Sequence, residues 1–319
     1  MPPDHRPPVD NAFSGPLIGG AEEATFSGAL SFMRRRYTKD VTGADVVVWG
    51  VPYDGATSNR PGARFGPQAI RRASAIFDGD PQYPSGRDPF AKLTVVDYGD
   101  CFLPRGHQSL IPKAIADQAT AILKTGAHLI TLGGDHFVTL PLLRAHAAKH
   151  GPLALVQFDA HQDTWDDGAG AISHGSFVLE AVREGLIDVS RSIQIGIRTI
   201  APRNCGIRVL DAYEAHGMGL GAIVETIREH VGAGPAYLTF DIDCLDPSCA
   251  PGTGTPVAGG LLSIGVLKTL WLLRDINWKG MDIMEVSPPY DHADITAIAA
   301  ATVVNHYIQG LAMKIKQSS

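Results

Sequence analysis

The sequence predicts an α/β domain built on a mainly parallel sheet of about eight strands. Three observations carry that expectation: short runs rich in β-branched residues, amphipathic stretches between them, and acidic residues and histidines gathered where the runs end. The runs are VVVWGV (46–51), LTVVDYG (93–99), HLITLGG (128–134), LALVQFDA (153–160), SIQIGIR (192–198), IRVLDA (207–212), AYLTFDID (236–243) and MDIMEVSP (281–288). Several are apolar almost throughout, as strands covered on both faces must be. Helical stretches fall between them at 109–126, 221–231 and 263–276, and a last one at 295–316 closes the chain. Strand and helix alternating in this way give parallel βαβ units. Periodicity alone leaves both an open doubly wound sheet and an eight-fold barrel standing. With no internal repeat or low-complexity linker, residues 26–319 read as one domain, preceded by a proline-rich polar arm at 1–25.

Composition narrows the partners. The chain has 319 residues, 45% hydrophobic and 19% charged, with a formal net charge of -6. A mildly acidic protein has no general affinity for nucleic acid or anionic lipid. Arg34-Arg35-Arg36 is short and isolated and reads as a solvated helix face. No apolar stretch approaches the ~20 residues that span a bilayer, and the N-terminus lacks the apolar core of a secretory signal. The expectation is a cytoplasmic protein. Cys101, Cys205, Cys244 and Cys249 form no CxxC pair, so reduced, mostly buried thiols are expected rather than disulfides or a thiolate zinc site.

The chemistry lies at the strand ends. LALVQF runs into Asp159-Ala-His161-Gln-Asp163, AYLTF into Asp241-Ile-Asp243, and HLITLGG into Asp135-His136. Residues two apart in extended chain project to the same side, so Asp159, His161 and Asp163 can converge, as can Asp241 with Asp243. The carboxyl ends of parallel strands are where open α/β sheets place their ligands. Charge there is costly unless it is paired or coordinates a metal. A single aspartate after a strand would be read as a helix cap; the three motifs together argue against that for the set. Two histidines and four carboxylates are too many for one metal centre and suit two. Oxygen donors with imidazole favour Mn²⁺, with Mg²⁺, Fe²⁺ and Co²⁺ as competitors. Metal ions about 3.5–4 Å apart can ionise a bridging water and stabilise a tetrahedral species. The residues alone therefore describe a metallohydrolase.

GVPYDGATSNRPGARFGPQAIR, GGDHFVTLP, FDAHQDTW, SHGS, YLTFDIDCLDPSCAPGTGTPVAGGL and MDIMEVSPPYD occur in that order from about Val46 to the end. Together they resemble the ureohydrolase family, whose members include arginase and agmatinase. The resemblance implies a three-layer α/β/α sandwich and hydrolysis of a guanidino group to an amine and urea. It places His136, Asp159, Asp163 and Asp241 on one manganese and Asp159, His161, Asp241 and Asp243 on the other, with Asp159 and Asp241 bridging. Asp135 matches no ligand position and reads as a turn residue. His174, in Ser173-His174-Gly175, matches the family's proton-shuttling histidine, and Glu285 the carboxylate that grips the guanidinium; Asp163 would pass a proton to the departing amine. Family members are commonly trimers or hexamers, so a homo-oligomer is expected.

Substrate choice rests on three features. Arginases carry an acid three positions after the arginine of the IGIR motif, where this chain has Ala201. DIDCLDPSCAPGTGTP with Cys244 follows the bacterial agmatinase wording. The loop TWDDGAGAIS offers Asp166 and Asp167 and no base, which suits a substrate ending in an ammonium. The resulting expectation is agmatine, giving putrescine and urea, with Asp166 and Asp167 as tail-binding residues. Arg60, Arg64 or Arg203 reaching the pocket would favour a guanidinobutyrase or guanidinopropionase instead. A non-catalytic, metal-stabilised binding protein on the same scaffold is the remaining alternative.

Overall fold

A computed structural model describes residues 24–77, 81–168 and 170–314. Most of the arm expected at 1–25 therefore lies outside the described residues. All eight expected strands form: β1 (Val46–Gly50), β2 (Val95–Asp100), β3 (His128–Leu132), β4 (Ala154–Phe158), β5 (Ile193–Ile197), β6 (Arg208–Asp211), β7 (Ala236–Asp241) and β8 (Trp278–Met284). They make a single sheet in the order β2-β1-β3-β8-β7-β4-β5-β6, and every pairing is parallel. β2 and β6 are the two end strands and do not pair with each other, so the sheet is open and the barrel is excluded.

Alternation along each strand divides the core in two. In β1, Val46 and Val48 join the apolar cluster on one face, while Val47 and Trp49 join the cluster on the other. The first face is covered by α1 (Gly66–Ala73), α6 (Leu220–Val231), α7 (Ser263–Leu272) and α8 (Ile295–Lys314), through Ile70, Ile227, Leu270 and Val304. The second is covered by α2 (Ile111–Leu123), α3 (Thr139–His150) and α4 (Phe177–Arg183), through Ile115, Leu143 and Val178. A short α5 (Ala212–Gly217) follows β6. Helices on both faces of a parallel sheet are the three layers expected.

Two local expectations are revised. β8 starts at Trp278 rather than Met281, because Lys279 and Gly280 interrupt the apolar run that marks the strand in the sequence. Arg34 and Arg35 are not on a solvated helix face; each is 2% exposed. Arg34 donates to the carbonyls of Ala24 and Ser27, and the Arg35 guanidinium lies 4.1 Å from the Phe90 ring centroid. Cys101 and Cys244 are buried, and all four cysteines are free thiols. Among the described residues no helix is long and apolar enough to cross a membrane.

The four central strands, β3-β8-β7-β4, are adjacent in the sheet. Their registers match Leu132 with Ile283, Ile283 with Phe240, and Phe240 with Phe158. Their carboxyl ends are thus level, and the segments beyond them meet on one rim.

Candidate active site

Each central strand delivers one motif to this rim. β3 ends in Gly133-Gly134-Asp135-His136, β4 in Asp159 through Asp163, β7 in Asp241 through Asp243, and β8 in Glu285. Gly134 is required by a close approach: a Cβ there would stand 1.7 Å from the Tyr53 carbonyl oxygen. Asp163 and Glu285 adopt positive φ, 52° and 64°, a conformation that costs a non-glycine residue about 1–3 kcal/mol and tends to persist at functional sites. Glu285 is held there by its N–H, which donates to the Gly134 carbonyl at 2.8 Å.

The metal-type residues converge as two overlapping groups, His136/Asp159/Asp241 and Asp159/His161/Asp243, with ligand atoms within 4.8 Å of one another in each. Asp159 belongs to both, the geometry of a bridging carboxylate. Asp241 falls in the first group. His136 Nδ1 faces Asp159 Oδ2 at 3.0 Å, Asp241 Oδ2 at 3.0 Å and Asp163 Oδ2 at 3.2 Å. His161 Nδ1 faces Asp243 Oδ2 at 3.1 Å. Main-chain donors fix the carboxylates: His161 N–H to Asp159 Oδ1, Ala160 N–H to Asp243 Oδ1, and Asp243 N–H to Asp241 Oδ1.

The donor set fits hard divalent cations. His136 Nδ1 is buried among carboxylate oxygens, yet none is aligned to share a hydrogen bond with it. Burial opposes charge on the imidazoles, but the carboxylates outweigh it: His136 lies well above the usual histidine range and His161 is pushed up to about 12. Burial, with the Asp159 charge, raises Asp163 to about 6. A cluster that holds protons this firmly carries surplus negative charge, which is what a pair of cations offsets.

Behind the ligands lies a network that sequence reasoning did not identify. Thr239 Oγ donates to Asp282 Oδ1 at 2.6 Å and lies 2.8 Å from His136 Nε2. Asp282 Oδ2 also accepts from Tyr237 Oη at 2.9 Å and Thr139 Oγ at 3.0 Å. With its proton given to Asp282, the Thr239 hydroxyl accepts from His136 Nε2, leaving the Nδ1 lone pair for a metal. The signal was available: Thr239 stands two residues before Asp241 on one strand and so on the same side. Thr239→Val is expected to weaken metal binding by about 10–100-fold while leaving the fold intact. A manganese titration that matches the unmodified protein would remove this hydroxyl from the argument.

His174 and Glu285 form a pair. His174 Nδ1 is 2.8 Å from Glu285 Oε1, which also accepts the His136 N–H at 2.9 Å. Burial opposes the His174 charge, but the Glu285 bond prevails and raises the ring to about 9. The other oxygen, Glu285 Oε2, is buried without a partner. A cavity of about 300 Å³ opens over the cluster, lined among others by Ser58, Trp165, Asp167, His174 and Thr255.

The structure separates the two loop acids. Asp167 lines the cavity. Asp166 turns away, each of Arg183 and Arg203 approaching it to 2.7 Å. Bases therefore reach a loop that contains none, from other elements. Arg203 is engaged there, Arg64 pairs with Asp54, and Arg60 lies over Tyr290; none of the three lines this cavity. Asp135 belongs to neither ligand group, and its Oδ2 accepts the Ala56 N–H at 2.7 Å. Arg198 is another contributor missed in the sequence. Its guanidinium donates to the carbonyls of Gly196, Asp243, Cys244, Leu245 and Val257, clamping the turn that carries Asp243.

Comparison with known proteins agrees with this geometry. Residues 44–309 match the profile of the Arginase family. The chain is 51% identical over 289 residues to a protein of Chromobacterium violaceum named agmatinase, covering 90% of each. The crystal structure of a hypothetical agmatinase from Burkholderia thailandensis superposes with a TM-score of 0.94 at 50% identity, covering 96% of this chain and 98% of that one. Proclavaminate amidino hydrolase from Streptomyces clavuligerus superposes with a TM-score of 0.87 at 40% identity, covering 91% and 99%. With its profile, its relatives and its strand-end cluster in agreement, the chain belongs to the arginase family.

Proposed function

We propose that the protein hydrolyses agmatine to putrescine and urea, using two manganese ions held by His136, Asp159, His161, Asp163, Asp241 and Asp243. The observation that carries the reading is the cavity itself. Its floor is the imidazole–carboxylate cluster, and its lining includes Asp167 and, among the described residues, neither lysine nor arginine. The relatives named agmatinase support it. Oxygen donors with imidazole favour manganese over softer-ligand metals. When bound, the two cations supply Lewis acidity, which makes water nucleophilic near neutral pH.

The chain's own residues do the rest. Glu285 Oε2, buried and unpartnered, receives a guanidinium N–H and orients the cation, while Oε1 stays tied to His136 N and His174 Nδ1. Asp163 takes the proton released as water attacks the guanidinium carbon and returns it to the departing amine nitrogen through Oδ1, the oxygen not set against His136 Nδ1. His174 exchanges a further proton with solvent, a role that suits imidazole. Asp167 and the Trp165 ring meet the tail ammonium.

Glu285→Gln is expected to lower kcat/KM by roughly 10–100-fold, since a hydrogen bond to a charged group is worth about 1.5–3 kcal/mol. An unchanged kcat/KM would take Glu285 out of substrate binding. The decisive experiment is urea release by the manganese-loaded protein from a panel of guanidino compounds. A guanidino-acid hydrolase is the second reading, and the likeness to proclavaminate amidino hydrolase favours it. We further place the protein in polyamine supply in the cytoplasm, as a homo-oligomer. Ile76, Tyr83 and Ile264, exposed at 60%, 79% and 53% around one groove with Trp271, support self-association.

A further inference from the structure

The loop that carries Ser58 runs along the rim from β1 to α1 and is pinned on both sides of that residue. Ala56 N–H donates to Asp135 Oδ2 at 2.7 Å, and the Ala56 carbonyl accepts the His174 N–H at 3.3 Å. Asn59 Nδ2 donates to the Gly254 carbonyl at 2.9 Å, and Gly62 N–H to Asp54 Oδ2 at 2.8 Å. Ser58 is thereby set against one atom, with two groups. Its main-chain N–H donates to His174 Nε2 at 3.1 Å, and its Oγ lies 2.7 Å from the same nitrogen. The opposite ring nitrogen, Nδ1, faces Glu285 Oε1 at 2.8 Å.

These contacts have different consequences. A main-chain N–H can only donate, so with it in place Nε2 presents its lone pair and the ring proton sits on Nδ1, given to Glu285. Once Nε2 is protonated it can no longer accept from that N–H and requires an acceptor. A hydroxyl can play either part. It donates to the neutral ring and accepts from the charged one.

We propose that Ser58 is a positioning residue for His174. Its main-chain N–H selects the Nδ1-protonated tautomer, and its hydroxyl holds the ring toward the cavity whichever charge Nε2 carries. The other charged groups bearing on the ring are Glu285, in contact, and Asp163 and Asp135 farther off. All are acidic and favour the charged ring. Ser58 is the residue that opposes Nε2 on the cavity side. This inference rests on the proton-transfer reading of His174.

Ser58→Ala removes the hydroxyl and keeps the N–H. In the manganese-loaded enzyme, kcat for agmatine should fall about tenfold, the size expected from one lost hydrogen bond, with KM within about twofold. The limb of the kcat–pH profile that disappears in His174→Asn should move to lower pH, because the charged ring has lost its acceptor. Ser58→Thr should recover turnover, and Ser58→Ala combined with His174→Asn should be no slower than His174→Asn alone. An unaltered kcat in Ser58→Ala, an unmoved limb, a Ser58→Thr enzyme as slow as Ser58→Ala, or multiplicative losses in the double variant would each overturn the proposal. If His174→Asn itself turns over at the full rate, the proton-transfer reading fails and takes this inference with it. An impaired His174→Asn beside an unimpaired Ser58→Ala sinks the Ser58 role alone.

Discussion

Asp159→Ala is expected to abolish urea release, with turnover down on the order of 10³-fold, and to leave the protein unable to retain either metal. The position explains the size. Asp159 is fully buried and is the carboxylate shared by both ligand groups. Its removal would therefore take one donor and one negative charge from both groups at once. The Lewis acidity at stake is worth several kcal/mol, and each 1.36 kcal/mol is a factor of ten in rate. Asp159→Ala also strips Gln157 Nε2 of its 2.7 Å acceptor, a buried loss of about 1–3 kcal/mol in stability. Thermal melting with and without manganese separates the two effects. Asp243→Ala is the informative contrast, because Asp243 belongs to the second group alone. Elemental analysis should find about one ion per chain in Asp243→Ala and none in Asp159→Ala. Two ions retained by Asp159→Ala would end the bridging role.

The rim is largely legible in the sequence because strand ends are marked twice, by an apolar run and by the polar residues that stop it. DAHQD and DID follow such runs directly, and alternation alone puts their carboxylates on one side. The level registers of β3, β8, β7 and β4 turn that one-dimensional pattern into a cluster. What stays hidden is set by distance along the chain. Ser58 and His174 are 116 positions apart, and Arg203 reaches Asp166 across 37. Nothing local in TSNRPGAR reports an imidazole, and nothing in TWDD reports the arginines that occupy its first acid. For His174 and Glu285 the residue types alone allow ordinary structural roles; the family resemblance gives each a role of its own, and the contact between them appears only in the structure. The Thr239–Asp282 relay lies between these cases: periodicity places the threonine, and only the parallel neighbour β8 supplies its partner.

Agmatine is expected to exceed 4-guanidinobutyrate in kcat/KM by about a hundredfold or more. The two substrates have the same guanidino head and nearly the same reach, and differ in the sign of the terminal charge. Apart from the cluster on the floor and His174, Asp167 is the charged side chain in the described lining, and the half-buried Trp165 offers an aromatic face beside it. An ammonium finds a carboxylate and a ring quadrupole there. A carboxylate finds like charge and no base, and an opposed terminal charge costs several kcal/mol, each 1.4 kcal/mol being tenfold. Arginine should also be poor, since its α-carboxylate adds the disfavoured charge at that end. Asp167 is exposed, so its own share is modest: Asp167→Asn should raise the agmatine KM by no more than about fivefold, the reach of a solvent-exposed ion pair. Asp167→Lys should do more, narrowing the gap by hurting agmatine and helping the acid together. Asp166→Asn should leave both substrates unchanged, because that carboxylate is already engaged by Arg183 and Arg203. If 4-guanidinobutyrate wins in the unmodified enzyme, the tail reading is wrong while the metal chemistry stands. If agmatine wins but Asp167→Lys leaves the ratio untouched, discrimination lies in the Trp165 wall and the shape of the cavity rather than in charge at its mouth.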